Sequence, residues 1–292
     1  MMPGLALAQE QSAPSGIVGG QESEPGEWPA VVGIVIQGGG LCTGTLISDR
    51  LVLTAAHCIA GRENPADYGV VVGDSISSGG VSLEVDQVGA HPDFCGKPEE
   101  DCSDFGYVRL AVAIEGVEAL AVLETQEDYD ALIEVGDRVT LVGFGSDDEG
   151  RSGTKREVVV SVTKRSTQGV AFAAGGEGKD SCNGDSGGPA LVRKEDGSLA
   201  LAGVLSYGSS ECGQGGMYGV AQNGLCWISE DSGIEIRPES CSDCACIDLG
   251  EELSEGCSCT VQNDTPRGFV WLTLCFFMLM WRGRLGSRRA NP

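Results

Sequence analysis

Histidine is nearly absent: the 292 residues contain two, His57 and His91. That excludes histidine-rich metal centres. The cysteine clusters "CSDCAC" (241–246) and "CSC" (257–259) have no histidines nearby to complete a zinc set. No metal and no cofactor is expected. Basic residues are scarce too, 19 against 43 acids for a net charge of −24. Five of the arginines fall in the last 26 residues, so residues 17–266 carry 14 basic and 42 acidic side chains. Such a surface argues against nucleic acid as a partner and favours cationic ligands, although most of these charges simply solubilise a surface. The chain also lacks βαβ alternation, which excludes a parallel-sheet enzyme, and shows no internal repeat.

What is present points to an all-β body. The 41% hydrophobic content can fill one large core or two modest ones, and 45 glycines suggest many tight turns between short strands. Period-2 segments recur from Ile17 to about residue 225, among them "VVGIVIQGG", "GTLISDRLVLTAA", "DRVTLVGFG", "REVVVSVT" and "LALAGVLSYG". The polar segment 123–136 reads as a connection between two halves, 17–125 and 126–235, and "CWISEDSG" as a short closing helix. Thirteen cysteines predict disulfides made in an oxidising compartment.

Both ends read as signals. Residues 1–16 look like the remnant of a signal and pro-segment, with the small-residue pattern Ala6-Leu7-Ala8. Residues 236–266 form an acidic, cysteine-rich linker. Residues 267–292 hold the apolar run "GFVWLTLCFFMLMW" (268–281) and a basic end. Fourteen residues span roughly 20 Å as a helix, short of a usual bilayer crossing, so an anchor or sorting signal is expected.

The densest chemistry is "KDSCNGDSGGP" (179–189). A serine hydroxyl becomes a nucleophile only beside a base, itself oriented by a third group. Ser186 sits among Gly184, Gly187 and Gly188, which allow a sharp turn and let backbone N–H groups converge on an oxyanion. The base is one of the two histidines. His57 follows an apolar strand in "LVLTAAHC", and His91 precedes a proline in "GAHPDF". For the acid, Asp104 in "CSDFGYVRLA" begins an apolar run, and Asp93 competes with it.

These blocks together resemble the chymotrypsin/trypsin-like serine endopeptidases across residues 17–230. "IVGG" (17–20) resembles that family's mature amino terminus. "TAAHC" and "GDSGGP" match its histidine and serine blocks, while "GFG" (143–145) and "SYG" (206–208) resemble Gly-Trp-Gly and Ser-Trp-Gly. The resemblance implies two six-stranded antiparallel β-barrels and a short C-terminal helix. It implies a catalytic triad of His57, Asp104 and Ser186, and an oxyanion hole from the Gly184 and Ser186 amides. Asp180 becomes the floor of a pocket for a substrate Arg or Lys, with Ser206, Gly208 and Gly216 as substrate-binding positions. Asp185 becomes the partner of an Ile17 ammonium freed by cleavage. Gly16 precedes Ile17 where the family usually has Arg or Lys, so an activating protease or export peptidase is implied. Disulfides Cys42–Cys58, Cys182–Cys212 and Cys95–Cys102 are implied or allowed. The tail resembles the sorting signals of bacterial surface proteins of the myxobacterial type, placing the protein outside the cell and at a membrane before processing. The rival readings are a catalytically silent binding module on the same fold and an elastase- or chymotrypsin-like specificity.

Overall fold

The structure is a computed structural model, and it describes residues 17–97, 102–166 and 170–237. The leader, nearly all of the expected linker and the apolar tail lie outside the described residues. Fifteen strands run in chain order: β1 (Gln21–Glu22), β2 (Val31–Ile36), β3 (Gly40–Leu46), β4 (Leu51–Thr54), β5 (Tyr68–Val72), β6 (Val81–Leu83), β7 (Val85–Ala90), β8 (Gly106–Leu110), β9 (Ala121–Val122), β10 (Arg138–Gly143), β11 (Arg156–Arg165), β12 (Ala171–Ala174), β13 (Pro189–Arg193), β14 (Leu199–Gly208) and β15 (Gly216–Val220). Two short helices join them, α1 (Gln126–Leu132) and α2 (Leu225–Ser232).

Alternation builds the second half. In β11, Val158, Val160 and Val162 turn inward while Val159 and Ser161 face solvent, the period of a half-buried strand. Those valines join Leu141, Phe172 and Tyr218 in one core. Each fully buried aliphatic side chain contributes about 1.5–3 kcal/mol. Strands β11, β10, β13, β14, β15 and β12 pair in that order, and β12 returns to β11, closing a six-stranded barrel. The central strand β14 is buried over most of its length.

The first half departs from the expected second barrel. Its seven strands pair as β6-β5-β2-β3-β4-β8-β7, and no pairing among the described residues closes the ends. The physical reason lies at those edges. Strand β6 has three residues, two of them exposed. Strand β7 is covered by α2: the Gln87 amide donates to the Asp231 carbonyl, and His91 and Tyr107 pack on Trp227. A covered edge needs no further strand. Strands β1 and β9, from the first half of the chain, add to β11 and β14 of the second sheet.

Helix α1 lies inside the segment read as a polar connection. Thr125 caps it, its Oγ1 accepting from the Asp128 N–H at 3.0 Å, and Glu127 and Asp128 stand at the positive end of the helix dipole. Helix α2 is the expected closing helix and ends at Gly233, whose φ of +70° suits a left-handed cap. Between the two sheets a shared core of Val31, Leu53, Phe105, Phe144, Val204 and Ile228 is buried.

Candidate active site

Both sheets contribute candidate residues. His57 sits in a short 3-10 turn after β4, and Asp104 just before β8, the strand that pairs with β4. The register Thr54↔Gly106 brings these ends together. The His57 backbone N–H donates to Asp104 Oδ1 at 2.9 Å, and His57 Nδ1 lies 2.8 Å from Asp104 Oδ2. Ser206 Oγ donates to the same Oδ2. Asp104 is buried, so these donors replace the water its carboxylate would otherwise bind. Gly106, unusual after this aspartate, is required by packing, because a Cβ there would lie 2.8 Å from the Ala55 carbonyl oxygen.

The competitors sit elsewhere. The His91 ring packs tilted against Trp227 at 5.0 Å between centroids, burial lowers its pKa, and its Nδ1 accepts from the Asp93 N–H. Asp93 is exposed and faces His91 at 4.0 Å. Neither joins the His57–Asp104 pair.

Ser186 comes from the second sheet, in the turn before β13. Its carbonyl accepts from the Thr43 N–H at 2.9 Å and lies 3.7 Å from Cys58 Sγ, beside His57 in sequence. The flanking glycines are needed at two points. Gly184 (φ +99°) has Gly145 Cα 3.0 Å from where a Cβ would stand. At Gly187 (φ +78°) a Cβ would collide with Thr54 Oγ1 and the Thr43 carbonyl. Among the described residues, neither the Gly184 nor the Ser186 N–H has a hydrogen-bond partner. Thr43, which sequence reading missed, ties this turn down: its Oγ1 donates to the Gly184 carbonyl at 3.0 Å and accepts from the Phe144 N–H at 3.1 Å.

Asp180 is 2% exposed and lines a cleft that also touches Ser186, Ser206, Gly208 and the Cys182–Cys212 bridge. Its carboxylate accepts from the Ser181 N–H at 2.7 Å, the Ser181 hydroxyl at 3.3 Å and the Gly215 N–H at 2.8 Å. Burial raises its pKa against these hydrogen bonds. Gly208 lines the cleft. Gly216, its partner across β14–β15, packs behind it, where a Cβ would lie 2.9 Å from Leu205 and 3.2 Å from Ser181 Oγ. Ser181 and Gly215 went unnoticed in the sequence; nothing marks them until the fold brings them to the aspartate.

Asp185 is also 2% exposed, held by the Gly145 N–H at 2.7 Å and the Cys182 N–H at 2.9 Å. No cation pairs with it among the described residues, and burial pushes its carboxyl up to about 7. The "GFG" glycines find their reason here. A Cβ at Gly143 would strike the Asp185 carboxylate, and one at Gly145 would lie 2.5 Å from its Cγ. Ile17 is buried in the barrel core with a φ of +40°, an uncommon conformation for a β-branched residue. The next residue, Val18, pairs with Asp180, whose N–H donates to the Val18 carbonyl at 3.0 Å.

The bridges Cys42–Cys58, Cys95–Cys102 and Cys182–Cys212 are all formed, and Cys226 is disulfide-bonded as well. The Cys42, His57 and Cys58 side chains cluster, but a disulfide occupies both sulfurs, so the group is no metal site.

Comparison with known proteins agrees with this geometry. The family model described as Trypsin matches residues 17–224. The chain is 29% identical to phenoloxidase-activating factor 1 of Holotrichia diomphalia over 242 residues, covering 70% of this chain and 66% of that protein. It is 32% identical to the vitellin-degrading protease of Bombyx mori over 209 residues, with coverage of 66% and 75%. It is 31% identical to serine protease 56 of Homo sapiens over 260 residues, with coverage of 81% and 42%. The matched region thus spans from under half to three quarters of these relatives' own lengths. With a match over most of its described length, and the His57–Asp104 pair beside the Ser186 turn, the chain belongs to the trypsin family of serine endopeptidases.

Proposed function

We propose that this protein is an exported serine endopeptidase that hydrolyses peptide bonds after Arg and Lys. The observation that carries the reading is His57 paired with buried Asp104 beside the Ser186 turn, which lines a cleft together with buried Asp180.

In this mechanism His57 keeps its proton on Nδ1, where the N–H donates a hydrogen bond to the Asp104 carboxylate, which leaves Nε2 unprotonated and able to accept. Ser186 Oγ attacks the substrate carbonyl carbon as His57 Nε2 takes its proton. The Gly184 and Ser186 N–H groups, unpartnered within the protein, stabilise the oxyanion by about 3 kcal/mol each. His57 then protonates the leaving amine, and water releases the acyl group by the same steps in reverse. Asp104 stabilises the imidazolium throughout, and Ser206 holds Asp104 in position. A guanidinium or ammonium at the cleft floor meets Asp180 in a charge-assisted pair. Ser206, Gly208 and Gly216 shape the wall along which the substrate lies.

Cleavage before Ile17 supplies an ammonium for Asp185, whose burial without a cation is costly. Gly16 does not suit a pocket with Asp180 at its base, so a different protease or an export peptidase makes that cut. Three disulfides support an oxidising compartment, and an extracellular site follows. Among the described residues no helix is long and apolar enough to cross a membrane. Surface tethering therefore rests on the sequence of the tail alone. The partners are protein or peptide substrates, with no nucleic acid.

The test uses the chain cut before Ile17 through an engineered processing site, with Ser186→Ala as control. Hydrolysis of chromogenic peptides ending in Arg or Lys, lost in the control, is the expected result. Hydrolysis after Phe or Ala instead refutes the pocket assignment, and a folded, cut protein inert on all four is a binding module.

A further inference from the structure

We propose that Phe105 is a positioning residue for the reaction: its ring, seated in a slot kept open by Gly219 and Gly224, fixes where Asp104 stands relative to His57 and Ser186. The inference rests on the triad proposed above.

Two glycines stand where the backbone does not need them. Gly224 has φ −84° and ψ −20°, helical values open to any residue, and Gly219 lies inside β15 without a positive φ. Space is the reason instead. A Cβ at Gly219 would lie 2.9 Å from Phe105 Cζ and 3.2 Å from its Cε1. A Cβ at Gly224 would lie 2.9 Å from Cγ, 3.0 Å from Cβ and 3.1 Å from Cδ1 of the same side chain. One glycine clears the tip of the ring and the other its root. Phe105 is 6% exposed and belongs to the core shared by the two sheets.

The ring is a peg across the seam. Phe105 leads into β8 of the first sheet, while Gly219 belongs to β15 of the second. Gly219 pairs with Val204 on β14, two residues before Ser206, and Gly215, just before β15, donates to Asp180. On one side of the peg the backbone is tied down. The Phe105 carbonyl accepts from the His91 N–H at 2.8 Å, and Gly106 pairs with Thr54 of β4 and Ala90 of β7. Asp104, on the other side, is not. Among the described residues its backbone N–H and carbonyl make no hydrogen bond, and its carboxylate alone is engaged, by His57 and Ser206. The place of Asp104 is thus set one residue away, by a ring packed against β15 at its tip and the turn before α2 at its root. A close-packed interior passes a shift on rather than absorbing it. A displaced carboxylate takes the His57 ring with it, because the Nδ1 and backbone N–H of His57 both bond to it. A misplacement of about 1 Å at a reacting group costs about 10²-fold in rate.

The experiment crowds the slot at each end and then shortens the peg. Leucine lacks Cε1 and Cζ but keeps Cγ and Cδ1. Phe105→Leu should therefore make room for Gly219→Ala and not for Gly224→Ala. The full chain, cut before Ile17, is assayed below each variant's unfolding midpoint. The readouts are kcat and KM for an Arg peptide, and labelling by a fluorophosphonate, which Ser186 attacks with loss of fluoride. Gly219→Ala and Gly224→Ala should each lower kcat and the labelling rate about 10²-fold, with KM little changed. Phe105→Leu alone should cost about tenfold. Combined with Gly219→Ala it should return the rate to about that tenfold loss, and combined with Gly224→Ala it should recover nothing. Gly203→Ala controls for crowding as such. Its Cβ would lie 2.7 Å from the Phe172 ring in the barrel core, so it should melt lower while keeping kcat within about threefold. Equal rescue of both glycine variants overturns the proposal, and so does a loss in Gly203→Ala as large as theirs. Phe105→Leu, the variant least disturbing to folding, overturns it alone if kcat and labelling stay at the wild-type rate. Wild-type enzyme labelled by the probe but inert on Arg and Lys peptides loses the pocket reading only, and the labelling rates then decide this inference. Wild-type enzyme that the probe leaves unlabelled removes the triad and this inference with it.

Discussion

An uncut Gly16–Ile17 bond should make the stability of this protein fall as pH rises, and cutting that bond should remove most of the fall. The cause is Asp185. Its carboxyl titrates near 3.8 when unperturbed and is pushed up to about 7 by burial. Between those values the unfolded chain has released a proton that the folded chain keeps. Stability from this group is therefore complete below about pH 4 and lost progressively as pH climbs to about 7. About three pKa units at 1.36 kcal/mol each make the loss of the order of 4 kcal/mol, a large part of a typical folding free energy. An Ile17 ammonium beside the carboxylate offsets it and pulls the pKa down. The assay is urea unfolding between pH 4 and 8 with disulfides intact, on Ser186→Ala protein, cut and uncut. Burial also raises Asp180, whose smaller loss of the same sign persists in both forms, so the difference between them isolates Asp185. Asp185→Asn in the uncut chain should flatten the curve as cutting does. Equal slopes for cut and uncut protein, or an undiminished slope in Asp185→Asn, would refute the reasoning.

Three other outcomes are expected. Asp104→Asn should lower kcat by about the 10⁴-fold that this change produces in the family's best-known triad, with near-normal folding by circular dichroism. Gly145→Ala, forcing a methyl to 2.5 Å from Asp185 Cγ, should cost about 2 kcal/mol or more in thermal unfolding and reduce activity along with it. Asp180→Ser should reduce kcat/KM for Arg and Lys peptides by about 10²–10³-fold while leaving small-residue peptides little affected, the difference showing in one side-by-side rate series.

How far the sequence carries the structure can be seen residue by residue. Strands such as β11 and β14 are legible because their apolar positions alternate or run together between glycines. Helix α1 is not, since its seven residues are mostly polar and its one buried side chain is Tyr129. The open first sheet is equally hidden. Closure depends on how an edge is covered, and α2, which covers it, lies some 140 residues downstream of β7. At the site, Ser186, His57 and both aspartates of the 179–189 stretch stand in recognisable blocks. Their supports do not. Thr43, Ser181 and Gly215 are ordinary residues in a sequence, and they matter only because distant segments converge on them. Ser206 reads as a pocket residue and lines the cleft, and its hydroxyl also donates to Asp104, which the sequence does not reveal.

The way α2 fastens onto the first sheet has a mechanical consequence. Tyr107 Oη donates to Asp231 at 2.6 Å, Arg109 Nη1 to the Ser232 carbonyl at 2.8 Å, and Trp227 sits against two rings from that sheet. His57 and Asp104 belong to the sheet that α2 grips, and Ser186 to the other. A load on α2 would therefore be carried by this clasp into the sheet that holds the base, across the seam from the nucleophile.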